Sequence, residues 1–148
     1  QRKHSTSGHN MSRENTFKKR LIETMGKRWH VQSHEDMYST GIPDLSYGAG
    51  GVNGWIELKY ITLPSATGVL KPSKFTPAQI NWLNNRHAHG GKCWVMVGVE
   101  KSGVYLFEAI FAASIAEGQS ESWYQSTSVA SWVNRPINPV ELLHYLTR

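Results

Sequence analysis

The fold of this chain is decided by two short stretches, Thr40-Gly-Ile-Pro-Asp-Leu45 and Trp55-Ile-Glu-Leu-Lys-Tyr60. The second stretch is typical of a β-strand, and the segment between the two is rich in glycine, which accepts the positive φ angles of a tight reversal. If the two flanks pair as a hairpin, Asp44 and Glu57 lie side by side. Because alternate residues of a strand share one face, Glu57 and Lys59 point the same way. The sequence therefore predicts two carboxylates and one ammonium group at a single place in the fold.

This grouping predicts a magnesium site. Two hard oxygen ligands suit Mg²⁺, which commonly takes one or two carboxylates together with waters and substrate phosphate. A lysine beside such a metal can orient or deprotonate the attacking water, or stabilise charge that builds up on a phosphate. The alternative is a surface hairpin whose glutamate and lysine face water, since a Pro-Asp pair and a Glu-x-Lys triplet at loose spacing often recur by chance.

Four motifs give the chain a family resemblance. They are Gly41-Ile-Pro-Asp-Leu45, Trp55-Ile-Glu-Leu-Lys59, Phe75-Thr-Pro-Ala-Gln79 and Gly90-Gly-Lys-Cys-Trp-Val-Met-Val97. In this order they resemble the PD-(D/E)xK nuclease superfamily, and its VRR-NUC branch in particular. Small phage-type endonucleases and Holliday junction resolvases of this superfamily are similar in size and layout. The resemblance covers residues 12–107 and implies a DNA endonuclease that depends on Mg²⁺, with Mn²⁺ also supporting activity.

The resemblance also implies roles for particular residues. Asp44 and Glu57 match the metal-binding carboxylates, and Lys59 matches the catalytic lysine. The backbone carbonyl of Leu58 is implied as a further metal ligand. Gln79 matches a glutamine that lies near the active site in such enzymes, so the expected catalytic residues are Asp44, Glu57, Lys59 and Gln79.

An acidic residue on the first helix often completes such a site, and helix geometry selects Glu14 for this role. The helix is expected to begin at Ser12, a good N-cap residue, and Phe17, Leu21 and Met25 mark its apolar face. At ~100° per residue, Glu14 lies within about 60° of these three residues. A carboxylate on that side is costly unless it is paired or bound to a metal. The alternative for Glu14 is ordinary compensation of the helix dipole.

The charge of the chain favours a polyanionic partner. The net charge is +5 and the pI is about 9.4. Residues 1–92 carry 13 lysines and arginines against 6 acids, whereas residues 93–148 carry 3 against 5. The basic half therefore contains the predicted site, and DNA phosphates are the expected partner. The expected DNA contacts are Lys18, Lys19, Lys71, Lys74 and Arg86, and the alternative for each of them is a solvated surface charge.

The expected fold class is α/β, with a restriction-endonuclease-like αβββαβ core whose central mixed sheet is flanked by helices. The first helix is expected over residues 12–27 and the hairpin strands over 43–47 and 54–61. A second helix is expected after the N-cap residue Thr76, because Pro77 then takes the favoured first helical position.

Both ends of the chain lack motifs of the family. Residues 1–11 are expected to be disordered or vector-derived, because Met11-Ser12 is typical of a natural start. Residues 12–148 are expected to form one nuclease domain. From about residue 108 a C-terminal extension of strand and helix follows, in which Ser131-Trp-Val-Asn-Arg-Pro136 is expected to be irregular. This extension is expected to complete the core, to form a dimer surface, or both.

Other features bear on partners and location. No apolar run approaches the ~20 residues needed to span a bilayer, and no Gly-Lys-Ser/Thr follows the hairpin glycines, so we expect no membrane contact and no nucleotide cofactor. The single Cys93 is expected to be a core residue in a reducing, cytoplasmic compartment, which is compatible with a phage origin. Trp82 and Trp94 are expected in the core. Trp29 and Trp123 are the tryptophans considered for stacking on unpaired bases, with core packing as the default.

The expected function is hydrolysis of phosphodiester bonds in branched or duplex DNA by a homodimer, where the dimer and the branched substrate are analogies with small phage-type nucleases. Three alternatives stay open. A protein-binding or structural phage component would show no salt-dependent affinity for DNA. A site-specific enzyme of the homing or restriction type would discriminate one duplex sequence through contacts with base edges. A non-catalytic module would keep the nuclease fold and bind DNA without cutting it.

Overall fold

The computed structural model describes the backbone of residues 2–35, 40–63 and 67–148, and the side chains of these ranges from residue 13 onward. The helices are α1 (Arg2–Met25), α2 (Pro77–Ala88), α3 (Ala112–Glu117), α4 (Glu121–Thr127) and α5 (Pro139–Leu146). The strands are β1 (His30–Ser33), β2 (Leu45–Ala49), β3 (Val52–Ile61), β4 (Lys92–Val99), β5 (Gly103–Glu108) and β6 (Ala130–Val133). Short 3₁₀ turns follow α1 and β5.

The six strands form one mixed sheet in the order β1-β2-β3-β4-β5-β6. Strands β3 and β4 are parallel, whereas the other neighbouring pairs are antiparallel. A parallel pair needs a crossover connection, and α2 lies in that connection. Buried residues of α1 and α5 pack on one face of the sheet, and those of α2, α3 and α4 pack on the other. The predicted α/β class and the αβββαβ order of the core are confirmed.

The β2–β3 hairpin brings the two deciding stretches together. Its turn lies at Gly50 and Gly51, which have φ angles of 56° and 79° and so adopt a conformation that L side chains disfavour. The pairing register joins Leu45 to Ile56. Asp44, one residue before β2, therefore stands opposite Glu57. The hairpin strands are shifted by two residues from the predicted bounds at the turn, but the predicted proximity of the two acids is confirmed.

The chain after residue 108 completes the sheet and the core. Trp132 of β6 and Leu142 and Leu146 of α5 are fully buried in the same cluster as Leu21 of α1. The expectation that Ser131-Trp-Val-Asn-Arg-Pro136 is irregular is wrong for its first half, because residues 130–133 pair with β5 as an edge strand. Helix α4 was not predicted. Its N-cap is Ser120, whose side chain accepts a hydrogen bond from the amide of Trp123.

Helix α1 begins at Arg2, ten residues before the start predicted at Ser12, so Ser12 is not its N-cap. The assignment of residues 1–11 as disordered or vector-derived stays a prediction. The helix ends at Met25, which is buried with Phe17 and Leu21 as its apolar spacing predicted. Although α1 spans 24 residues, neither it nor another helix of the described ranges has the apolar length to cross a membrane.

Candidate active site

Asp44 and Glu57 form a carboxylate pair at the base of the hairpin. The Asp44 Oδ2 atom accepts a hydrogen bond of 2.8 Å from the backbone amide of Leu58, and this bond orients its carboxylate. The Glu57 side chain is almost completely buried, with 1% of its surface exposed, and its Oε1 atom has no hydrogen-bond partner in the described part of the chain. Burial raises the pKa of Glu57 well above its ordinary value, and the nearby Asp44 charge raises it further, while Lys59 opposes both effects.

Lys59 lies beside the pair and is also buried, with 6% exposure. Its Nζ atom is 3.2 Å from Glu57 Oε2 and donates hydrogen bonds to the carbonyl oxygen of Lys74 at 2.8 Å and to Gln79 Oε1 at 2.9 Å. The ammonium group also lies 4.7 Å from the centre of the Phe75 ring. An ammonium group has three donors, so these three oxygen contacts match its full hydrogen-bonding capacity and fix its position.

Gln79 connects this lysine to the start of α2. Thr76 caps the helix by accepting a hydrogen bond from the Gln79 amide, and Gln79 Oε1 in turn accepts one of 3.0 Å from the Thr76 amide. This reciprocal arrangement is a capping box. The same Oε1 atom accepts from Lys59, so the cap that begins α2 also positions the lysine. The structure therefore brings Gln79 to the site, where the resemblance had implied it.

Gly41 sets the distance between the Pro-Asp segment and α2. Its φ angle is +88°, and a Cβ atom at this position would collide with the backbone carbonyl of Ala78 in the first turn of α2. Only glycine fits such a close approach of two backbones. The segment that carries Asp44 is thus held against the same helix end that carries Gln79.

The geometry of the pair fits a hard divalent cation. Carboxylate oxygens are the ligands that Mg²⁺ prefers, and an unpartnered buried carboxylate oxygen is costly unless a proton or a cation satisfies it. Asp44 and Glu57 would hold the ion. Among the described residues, no three His, Cys, Asp or Glu side chains lie together closely enough to hold a metal. The carbonyl of Leu58 stays a predicted ligand.

Glu14 does not join this pair. Its side chain is exposed, so the expectation that it lies on the core-facing side of α1 is wrong. In addition, α1 packs on the sheet face to which Ile56 and Leu58 point, whereas Glu57 and Lys59 point to the opposite face, beside α2. Arg13 forms a 2.8 Å ion pair with Glu100, next to the end of β4. A third acidic side chain therefore does not reach Asp44 and Glu57 from α1.

The five predicted DNA-contacting residues lie at different depths. Lys19, Lys71, Lys74 and Arg86 are exposed. Lys18 is half-buried and lies 3.8 Å from the carboxylate of Glu35. The backbone of Lys74 contacts the site directly, because its carbonyl oxygen accepts a hydrogen bond from Lys59 Nζ. Their contact with DNA stays a prediction.

The tryptophans pack in or against the core as expected, but Trp82 is less buried than expected. Trp29 is buried at 7% exposure against Tyr47, and Trp123 is half-buried and stacks on Phe107 at 5.5 Å. Trp94 is in the core as expected. Trp82 is only half-buried and contacts the half-buried Trp55 of β3. The alternation of β3 places Trp55 on the face of Glu57 and Lys59, and this is the sequence signal that points to Trp55 as a neighbour of the site.

Cys93 is buried in β4, as its apolar neighbours predicted. Burial raises the pKa of its thiol to about 11. A thiol of this kind stays protonated near neutral pH and is a poor nucleophile. The residue therefore belongs to the core and not to the reaction.

No protein-family model and no curated protein sequence matches the chain. Among solved structures, the fold is similar to that of Hjc, a Holliday junction resolvase from the hyperthermophilic archaeon Archaeoglobus fulgidus. The TM-score is 0.51 and the identity 17%, over 80% of this chain and 96% of that protein. At this identity the likeness shows the fold alone, a mixed sheet flanked by helices, which is the fold class that the resemblance implied. Membership of the PD-(D/E)xK superfamily stays a prediction. The narrower VRR-NUC resemblance stays a prediction.

Proposed function

We propose that this protein is an endonuclease that hydrolyses phosphodiester bonds in DNA with the help of a divalent cation. The observation that carries the proposal is the buried Glu57 carboxylate, whose Oε1 atom has no hydrogen-bond partner among the described residues while Asp44 and Lys59 lie beside it. Burying a charge without full compensation destabilises a protein. A module that only bound DNA would gain nothing from this arrangement, whereas a metal-dependent nuclease requires it.

The proposed roles follow from where each group is held. Asp44 and Glu57 would bind Mg²⁺ or Mn²⁺, and the bound cation would polarise the scissile phosphate and lower the pKa of a water molecule. Lys59 carries the positive charge that would stabilise the phosphate oxygens as negative charge develops on them during attack. Lys59 would contact the phosphate when a phosphate oxygen replaces one of the three oxygen atoms that its Nζ atom now contacts.

Gln79 acts as a positioning residue in this scheme. Its Oε1 atom is fixed by the capping box, so it presents an acceptor to Lys59 from a rigid helix end. A catalytic group held by a rigid neighbour needs less reorganisation when the substrate arrives. Gly41 and the backbone of Ala78 supply the same rigidity to the segment that precedes Asp44.

Branched DNA is the proposed substrate. Two findings support it: the structural neighbour Hjc is a Holliday junction resolvase, and the chain carries an excess of 5 positive charges, concentrated in the half that contains Asp44 and Glu57. Contacts between such charges and phosphates give affinity without sequence specificity. A homodimer would place two sites on the two strands to be cut, and this assembly is part of the proposal.

The experiment that tests the proposal combines metal binding with cleavage. We expect wild-type protein to bind Mn²⁺ in calorimetry and to cut a labelled four-way junction in Mg²⁺ but not in EDTA. Asp44→Asn should lose both properties, because it removes one of the two carboxylates. Glu14→Gln is the matched control, since Glu14 is an exposed acid of α1, and it should keep both. An Asp44→Asn protein that cut the junction at the wild-type rate would refute the proposed function.

A further inference from the structure

A cluster of aromatic and cationic side chains continues the row of catalytic groups along the sheet. Trp55, Glu57 and Lys59 occupy alternate positions of β3 and therefore point to the same face, at intervals of about 7 Å. Helix α2 runs along this face in the opposite direction. Gln79 contacts Lys59 near the start of the helix, and Trp82 contacts Trp55 one turn later. The catalytic groups and the tryptophans thus lie in one line.

Four side chains make up the cluster, which we call the aromatic patch: His34, Trp55, Trp82 and Arg86. The rings of Trp55 and Trp82 meet edge to face, with centres 4.9 Å apart, and the His34 ring lies 5.1 Å from Trp55. The Arg86 guanidinium lies 5.2 Å from the Trp55 ring and 4.6 Å from the Trp82 ring. These distances permit cation–π attraction between Arg86 and the two rings, and this attraction stabilises the arrangement of the side chains.

The aromatic patch is more exposed than a core requires. Its three rings are half-buried and Arg86 is exposed, whereas the core below is closed by fully buried residues such as Leu83 and Val95. Among the described residues, no salt bridge joins Arg86 to an acid. The guanidinium charge is therefore available to an anionic partner, and the ring surfaces are available to a flat one.

The patch is tied directly to the carboxylate pair. The backbone amide of His34 donates a 2.9 Å hydrogen bond to the carbonyl of Asp44, and the His34 ring is 2.8 Å from the Ser46 hydroxyl through its Nε2 atom. Ser46 pairs with Trp55 across the hairpin. One rigid unit therefore carries both the metal-binding acids and the rings. A strand whose phosphate reached Asp44 and Glu57 would pass a neighbouring nucleotide over the patch.

We propose that the aromatic patch stacks an unpaired nucleobase next to the phosphate that is cut, while Arg86 binds a flanking phosphate. Aromatic rings interleaved with cations are the features that bind unpaired nucleic-acid strands. This inference rests on the proposed endonuclease function and deepens it. Under this inference the protein selects branched DNA because a branch offers unstacked bases, whereas a base inside an intact duplex cannot reach the rings.

The test uses two forked DNA duplexes that are identical except at one position. One fork carries an unpaired thymine at the branch, and the other carries an abasic residue there. Binding of fluorescent forks is measured by anisotropy in EDTA, so that no cleavage occurs. Wild-type protein should bind the thymine fork about 5- to 100-fold more tightly, which corresponds to the stacking of one base. Trp82→Leu should abolish this preference, and Trp82→Phe, which keeps a ring, should retain part of it.

Trp123→Leu is the matched control, because Trp123 is also half-buried on this side of the sheet but stacks on Phe107. It should leave the preference for thymine unchanged. Thermal unfolding of each variant shows whether the substituted protein is folded. The inference is overturned if Trp82→Leu, folded and still cutting the junction in Mg²⁺, keeps the full preference. If wild-type protein binds neither fork and cuts no junction, the proposed function fails and the inference fails with it. The two failures are distinguishable, because in the first case the protein still cuts the junction and in the second it does not.

Discussion

Replacing Glu57 by glutamine should stabilise the metal-free protein, although it should abolish metal binding. Glutamine has nearly the same shape but no charge. The site contains two acids, Asp44 and Glu57, and one base, Lys59, so Glu57→Gln leaves one acid and one base. It also puts an amide group in the place of the buried carboxylate oxygen that has no partner in the described part of the chain, and this amide can donate to the neighbouring Asp44 carboxylate. An unsatisfied buried group costs about 1–3 kcal/mol, and we expect the free energy of unfolding to rise by an amount in this range.

The expected gain depends on pH in a defined direction. The pKa of Glu57 is raised in the folded protein, so the folded state holds its proton to higher pH than the unfolded state. The stability of the wild-type protein therefore falls as pH rises from the ordinary carboxyl range through the raised pKa, and this fall is absent from Glu57→Gln. The two proteins should differ little near pH 4 and most above the raised pKa. For a chain of this length, 1 kcal/mol corresponds to about 2–4 °C in Tm.

Divalent cations should reverse the order of stability. A ligand that binds only the folded state adds about 2.7 kcal/mol when its concentration is 100 times its Kd, and Glu57→Gln should lose this gain because it loses a carboxylate ligand. Thermal unfolding at pH 8 in EDTA and in Mn²⁺ measures both effects. A variant less stable than wild type in EDTA would refute the reasoning, because it would show that the Glu57–Lys59 contact is a net stabilising pair and that the metal-free site carries no penalty.

Five further substitutions test three other features of the structure. Gly41→Ala should lower the free energy of unfolding in urea by about 2 kcal/mol or more, because strain at positive φ adds to the collision with α2. Gly68→Ala, whose added Cβ atom would meet no atom of the described residues within 4 Å, should show the φ strain alone. Gln79→Leu should lower kcat about 10- to 100-fold with little change in KM in single-turnover cleavage, because the lysine loses its orientation; an unchanged kcat would contradict the positioning role. Tyr124→Phe should be neutral or stabilising by up to about 1 kcal/mol in urea unfolding, because the buried hydroxyl has no partner in the described part of the chain. Tyr47→Phe should lower the free energy of unfolding by about 1–2 kcal/mol, since the Tyr47 hydroxyl donates to the Leu146 carbonyl and accepts from Trp94 Nε1. Equal effects of Tyr124→Phe and Tyr47→Phe would contradict the hydrogen-bond argument.

The parts of the site that local sequence rules determine could be predicted. The hairpin follows from glycines in its turn and from strand alternation, and these two rules together place Asp44 opposite Glu57. The start of α2 follows from Thr76 and Pro77, which are standard signals for a helix N-terminus. Once that start is known, Gln79 falls in the first turn, at the end of the helix that meets Lys59.

The features that depend on packing between distant elements could not be predicted in the same way. Helix geometry gives the direction of Glu14 relative to its neighbours in α1, but it does not say which face of the sheet the helix covers. Helix α1 covers the face opposite to Glu57 and Lys59, and the ion pair of Arg13 with Glu100, 87 residues away, is likewise a long-range contact. Residues 130–133 lack a strong strand pattern, and their pairing with β5 supplies the missing determinant.

The aromatic patch illustrates the same division between local and tertiary information. Alternation in β3 shows that Trp55 shares a face with Glu57, which is a local fact. The contact between Trp55 and Trp82 depends on the direction in which α2 crosses the sheet, and the contact with His34 depends on the pairing of β1 with β2. The expectation that Trp82 is a core residue is met only in part, because Trp82 packs against the core but stays half-buried over Trp55 of the central strand β3.

The most direct test of the central claim is cleavage of a labelled four-way junction beside a matched linear duplex, in Mg²⁺ and in EDTA, by wild-type protein and by Lys59→Ala. The account predicts that wild-type protein cuts the junction in preference to the duplex, that EDTA abolishes cutting, and that Lys59→Ala lowers the rate by at least about 100-fold. Cleavage that persisted in EDTA, or a Lys59→Ala protein that cut at the wild-type rate, would contradict a metal-dependent reaction at this site.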